Sequence, residues 1–450
     1  MRFSRALAAW AATSLAAAYS STPEYPPGSA TSIEDFRSKH PYHPGCIPKG
    51  RRVVTLKPSR DDLDDVSDTF YNALREANHG GTVLLPKGQT FVIGKALELT
   101  FLDDVELRLD GRILFTNDIA YWQANAFKYP FQSAITFWKW GGKNVKIYGT
   151  GTLDGNGELW WQEFGNNHTT DDFTRPILFY GENLTDFQME GIHMMNSPIW
   201  HQLYVTSTNI SMTNLICTAE ARNASTFPKN TDFFDSINVD QIKVKDIWVN
   251  IGDDCFSPKT NSTNIHVDTM YCNGTHGQSM GSIGQYAGEK SIIENVLIEN
   301  IYLMNGNNGP RMKSWAGPDI GYGYINNITY RNMYLANSDI AGQLDSCYFN
   351  INATECAQYP SRVNVTNVTI ENVQGKTSGS FGRVTAIFSC STNPNAVCEN
   401  IRLVNWNITS PCGEPTIVVC DGIKDGLGAV PCYSSTSDEA VAARKNTCQK

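Results

Sequence analysis

The 450-residue sequence predicts an all-β chain, a right-handed parallel β-helix with a short N-terminal capping helix, on three observations. Strand-like runs are short and are separated by Gly and Asn. A unit of Asn or another polar residue followed by alternating apolar residues recurs along the chain. Only one segment carries a sustained helical period. Repeats built of strands and turns bury their apolar positions against the same positions in the coils above and below. A β-sandwich accommodates short strands, but gives no reason for Asn to return at the same place in each unit.

In chain order, residues 1–18 read as a secretory signal. Arg2 and Arg5 precede the apolar, Ala-rich stretch from Leu7 to Ala17, and Ala16-Ala17-Ala18 offers small residues for cleavage. Residues 19–450 are read as a single domain. Pro, Ser, Tyr and His are frequent in residues 19–50, an extended lead-in with little structure of its own. Asp61 to Asn78 is the predicted helix: Val66, Phe70, Ala73, Leu74 and Ala77 share one face, Asp61 and Asp62 stand near its start, and Gly80-Gly81 ends it. Lying ahead of a long β region, it suits the task of covering the open end of a solenoid, whose terminal coil would otherwise expose apolar surface and unpaired backbone.

The β pattern begins with Thr82–Pro86, Val105–Leu109 and Val145–Gly149. The Asn-led units follow, among them Asn183–Phe187, Asn209–Met212, Asn264–Val267, Asn327–Tyr330, Asn367–Ile370 and Asn400–Leu403. Inserted loops explain the uneven spacing, and the turn Asn side chains are expected to stack as an amide ladder.

The net charge of −9 argues against nucleic acid or an anionic membrane as the main partner, while leaving room for a small anionic ligand gripped by local cations. No stretch beyond the signal approaches the roughly 20 apolar residues of a membrane span. Twelve cysteines agree with an oxidising, extracellular destination. Cys347/Cys356, Cys390/Cys398 and Cys412/Cys420 look like loop staples, and Cys255 and Cys272 are placed to pin adjacent coils. Eleven Asn-x-Ser/Thr acceptors, from Asn167 to Asn407, suggest a glycoprotein.

Four clusters carry the chemistry: Asn230-Thr231-Asp232, Gly252-Asp253-Asp254, His276-Gly277 and Arg311-Met312-Lys313. The first three follow one another at a spacing of 21 or 22 residues, about one coil. Residues one coil apart in a parallel solenoid stack at roughly 4.8 Å, so these side chains share a groove. Asp253 and Asp254 can share it only if the chain bends, which Gly252 permits. Clustered carboxylates whose protonation states are pushed apart supply an acid and a base together, as glycoside hydrolysis requires. Calcium binding and solvated turn Asp are the plainer alternatives. Arg311 and Lys313 project to one face and suit a carboxylate ligand.

These motifs, in this order, resemble the polygalacturonase-type pectin hydrolases, glycoside hydrolase family 28. The similarity extends over nearly the whole chain after the signal. It is closest to fungal exopolygalacturonases through Leu99–Asp103, Ser133–Gly141 and Cys272–Tyr286. The resemblance implies that Asp253 is the general acid, that Asp232 and Asp254 activate the attacking water with inversion, and that His276 sets the protonation of the acid. It also implies that Arg311, Lys313, Tyr348 and Asn230 bind substrate. No cofactor and no metal is expected, and the chain is expected to act on polygalacturonate as a monomer. Phe233 departs from the family, where many members carry Gly. On a strand it points away from the Asp232 side; at a bend its ring would crowd the groove. Competing readings are a rhamnogalacturonan or xylogalacturonan hydrolase, a pectate lyase on the same kind of fold, and a catalytically impaired pectin-binding β-helix.

Overall fold

In a computed structural model, residues 23–165, 174–349, 351–445 and 447–448 are described; the predicted signal and Asn167 lie outside them. The chain is a right-handed parallel β-helix. Among the described residues its strands form an 18-stranded sheet, a three-stranded sheet and a six-stranded sheet. Pairing runs in parallel register from coil to coil, as in Ile242↔Ile265, Ile265↔Val296, Val296↔Ile328, Ile328↔Val368 and Val368↔Ile401. Each of these residues is at most 3% exposed, so the alternating apolar positions of the sequence form one continuous core. Inside it, Phe179, Tyr204, Phe234 and Phe256 stack at 5.7, 5.5 and 4.7 Å between successive centroids.

The turns hold several asparagine ladders rather than one, Asn326, Asn367 and Asn400 forming one of them beside three others. Of those three, Asn264, Asn295 and Asn327 form the first, Asn300, Asn332, Asn372 and Asn405 the second, and Asn250, Asn273, Asn305 and Asn337 the third. Each rung of the three is an Nδ2 donating to the Oδ1 of the coil before, at 2.9–3.2 Å. Most of these residues have φ near +55°, the left-handed conformation that Asn tolerates better than other side chains. The repeated Asn thus both makes the corner and joins the corners together.

The capping helix runs from Ser67 to Ala77, beginning later than the sequence suggests. Asp61 and Asp65 accept from the backbone N–H of Leu63 and Ser67, two residues on, so local turns replace the first helical turn. Phe70, Ala73, Leu74 and Ala77 are buried, with Phe70 against Trp138 at 5.8 Å, and the helix covers the first coils as expected. It is not alone: Ile33–Lys39, Ile119–Asn125, Glu158–Gly165, Ala353–Gln358 and Asp438–Lys445 are short helices too brief to show a period in sequence.

The lead-in also has more structure than its composition suggests. It crosses successive coils in descending order, from Asn305 at Glu24, through Tyr271 at Phe36 and Asp246 at His40, to Arg108 at Gly45 and Asp104 at Arg51. It therefore straps one face of the solenoid. Three expected disulfides form, Cys255–Cys272, Cys347–Cys356 and Cys390–Cys398. Cys412 does not pair with Cys420. Cys420 bonds Cys432, which lies on the next parallel strand, and Cys412 bonds Cys448 near the C-terminus.

Candidate active site

The four clusters meet because their backbones form consecutive rungs. His201 N–H donates to Asp232 O at 2.8 Å, Phe233 N–H to Asp254 O at 3.1 Å, and His276 N–H to Asp253 O at 2.9 Å. Cys255 N–H then reaches Gly277 O at 2.9 Å and Gln278 N–H reaches Gly309 O at 3.2 Å. The Cys255–Cys272 bond closes the coil between. Gly252 serves by close approach: a Cβ there would stand 2.5 Å from Pro228 O. Gly277 has φ +90°, and its Cβ would meet Asn308 O at 2.3 Å, so His276 must be followed by Gly.

Asp232, Asp253, Asp254, His276, Arg311, Lys313, Tyr348 and Asn230 all line one cleft of about 440 Å³. Every predicted site residue is therefore brought together. Met312 turns into the core at 1% exposure, as two-residue alternation requires. Phe233 is wholly buried in the core and does not line the cleft, so the groove beside Asp232 is not crowded.

The charges are matched in pairs. His276 Nδ1 lies 3.0 Å from Asp253 Oδ1, which also accepts from Asp254 N–H at 2.8 Å. Lys313 Nζ is ion-paired with Asp254 Oδ2, and Ser279 Oγ donates to Asp254 Oδ1 at 2.7 Å. Burial pushes the Asp253 carboxyl up, but His276, Lys313 and the Asp254 amide outweigh it and hold it well below the usual range. Burial likewise opposes ionisation of Asp254, and Lys313 reverses the balance. Asp232 moves the other way: burial, then Asp253 and Asp235, push it well above the usual carboxylate value. Burial pushes His276 down, yet Asp253 prevails and its value is raised. The free cleft thus favours a proton on Asp232 and another on the His276–Asp253 pair.

Arg311 and Lys313 differ more than the sequence suggests. Lys313 is 3% exposed and engaged with Asp254, whereas Arg311 has a buried Nε without a protein partner. Both cations sit over the Tyr348 ring, at 5.5 and 5.1 Å from its centroid. Sequence reasoning passed over Asp235 and Lys259, which pair at 2.8 Å beneath the cleft. One-coil spacing from Asp235 would have found Lys259. It also passed over Arg175, Trp200, Gln132 and Trp315, for which no local pattern gives a signal.

Residues 79–432 match the model of "Glycosyl hydrolases family 28". The chain is 52% identical over 415 residues to a protein of Neosartorya fischeri named "Probable exopolygalacturonase B", covering 92% of this chain and 90% of that one. It is 51% identical to "Exopolygalacturonase B" of Aspergillus niger, with 92% of each covered. Among solved structures, an endo-xylogalacturonan hydrolase from Aspergillus tubingensis superimposes with TM-score 0.77 at 26% identity, over 85% of this chain and 99% of the other. The chain belongs to glycosyl hydrolase family 28.

Proposed function

We propose that this family 28 chain hydrolyses polygalacturonate from a chain end, releasing galacturonic acid with inversion at the anomeric carbon. One observation carries the reading: a single cleft holds carboxylates of opposed protonation tendency beside an Arg311 with an unpaired buried Nε. In the reaction, Asp253 gives a proton to the glycosidic oxygen as its bond to the anomeric carbon breaks. Water held between Asp254 and Asp232 attacks the opposite face and passes its proton to Asp254, which Lys313 keeps ionised. His276 and Asp253 share one proton between them: when the imidazolium gives its proton up, the cation that keeps Asp253 ionised is lost. Asp253 then takes a proton from the cleft on Oδ2, since Oδ1 is held by His276 and the Asp254 amide. Arg311 takes the substrate carboxylate as a fork, and Lys313 neutralises Asp254 while keeping further N–H groups for the ligand.

The exo mode is supported by the relatives' names and by two walls. Gln132 N–H donates to Tyr286 Oη at 2.8 Å and its Nε2 to Gln285 Oε1 at 3.2 Å, clasping two distant loops beside the cleft. Tyr348 and Phe349 line it elsewhere, next to the Cys347–Cys356 bond. Release outside the cell by a monomer, with residues 1–18 removed and glycan added, accords with five disulfides among the described residues.

A time course of product sizes on polygalacturonate should give monomer as the main early product; a ladder of oligomers sinks the exo claim. A second assignment, with Asp232 as the acid, is favoured by its raised carboxyl. Asp253→Asn should lower kcat on the polymer by about 10²- to 10⁴-fold. It should retain turnover of an aryl galacturonide whose leaving group needs no proton. If Asp232→Asn shows that pattern instead, the two roles are exchanged.

A further inference from the structure

We propose that Arg175 is a positioning residue for the acid Asp253, acting through Asn230 to decide which group faces the acid. Its guanidinium is 3% exposed and lies 3.9 Å from the centroid of the Phe164 ring. Nη1 donates to Pro198 O at 2.9 Å and Lys229 O at 2.7 Å, and Nη2 donates to Asn230 Oδ1 at 2.8 Å. Asn230 Nδ2 in turn reaches Asp253 Oδ2 at 3.4 Å. The other oxygen, Oδ1, is taken by His276 and by the Asp254 amide.

Arg has donors and no acceptor, so Asn230 can meet it only with its carbonyl oxygen. The amide is thereby locked, and only its NH2 group can face Asp253. That orientation matters to an acid. An NH2 group cannot accept the Asp253 proton, so a proton on Oδ2 is left for the cleft and the leaving oxygen. A flipped amide would offer Oδ1 at the same place, accept that proton and hold the acid in an unproductive hydrogen bond. The arrangement also has an electrostatic side. A buried guanidinium whose direct partners are all neutral is costly, and a neutral donor would fasten the same carbonyls. What the charge adds is attraction to Asp253 and Asp232, both close enough to counter the burial of Arg175, whose own value burial lowers to about 9.

The inference rests on Asp253 being the acid, which the Asp253→Asn comparison tests separately. Arg175→Gln removes the cation and supplies an amide that itself has an acceptor, so Asn230 is free to turn. The expected result is a fall in kcat on polygalacturonate of about 10- to 100-fold, within the range for general acid catalysis, with KM changed less than about twofold. Losing the nearby cation and gaining an acceptor both favour protonated Asp253, so the limb of the pH–rate profile governed by the acid moves to higher pH. Turnover of the aryl galacturonide stays near that of the unaltered protein. Arg175→Lys, which also lacks an acceptor, recovers much of the loss and serves as the test if Arg175→Gln does not fold. Equal losses on both substrates with an unmoved pH profile, in whichever variant melts cooperatively, would show a merely structural role and overturn the proposal. Full turnover by Asp253→Asn overturns the acid assignment instead.

Discussion

At the outer corners of the coils, stacked positions hold like residues; at the cleft, they hold unlike ones. In the corner ladders Asn sits upon Asn, and each amide is both donor and acceptor, so any number can be stacked without a mismatch. At the cleft the same one-coil stacking brings Asp232, Asp253, Asp254 and Asp235 close together, and repetition would fail. Neighbouring coils instead contribute His276, Lys313 and Lys259, one cation against each of three carboxylates. Asp232 has no such dedicated partner among the described residues, and burial and the neighbouring carboxylates raise it well above the usual value. Asp235 has Lys259, yet its complete burial still raises it to about 6. The contrast teaches that the repeat supplies distance while the departure from it supplies reactivity.

Breaking a cleft pair should cost far more than breaking a corner rung. Lys313→Met leaves Asp254 buried and unpaired, for which loss of about 3–5 kcal/mol of stability is expected, measured by denaturant unfolding. If Lys313→Met costs no more than a ladder variant, the contrast between the two regions fails. The protein should also lose most of its turnover, since Asp254 would then favour its neutral form.

A subtler test uses pH. The raised His276 value means that its pairing with Asp253 stabilises the fold below about pH 6.5, and that this share is lost as pH rises through the higher folded-state value. The lowered Asp253 value adds a share present above about pH 4 and lost as pH falls through its folded value. The melting temperature of His276→Asn should therefore lag most between about pH 4 and 6.5 and converge with the unaltered protein at alkaline pH. A gap independent of pH would mean that the pair is not ionic. Smallest of all, Asn332→Ala at the middle of a ladder should cost about 1 kcal/mol and leave kcat unchanged.

Much of this molecule is legible in the sequence because a solenoid converts sequence distance into spatial distance. Apolar alternation from Asn264 to Leu403 marks the core strands, and the one-coil steps among Asp232, Asp253, Asp254 and His276 mark the cleft. Alternation by two places Arg311 and Lys313 on one face and Met312 in the core. The same rule fails wherever the chain leaves the coil. Residues 23–52 look unstructured because their partners, such as Tyr271 and Asp246, are hundreds of residues away. Cys412 and Cys420 are near neighbours in sequence, yet each pairs with a cysteine that returns from the C-terminal segment.

The sequence by itself determined the β-helix, the capping helix and which of its predicted residues meet in the cleft, since periodicity and spacing are local properties that backbone pairing carries directly into space. Only the tertiary structure decided the partners: Lys313 on Asp254 rather than free beside Arg311, Phe233 in the core rather than in the groove, Arg175 behind Asn230. Those outcomes depend on side-chain direction and on burial, which sum over several coils and loops at once. No window of sequence contains that sum.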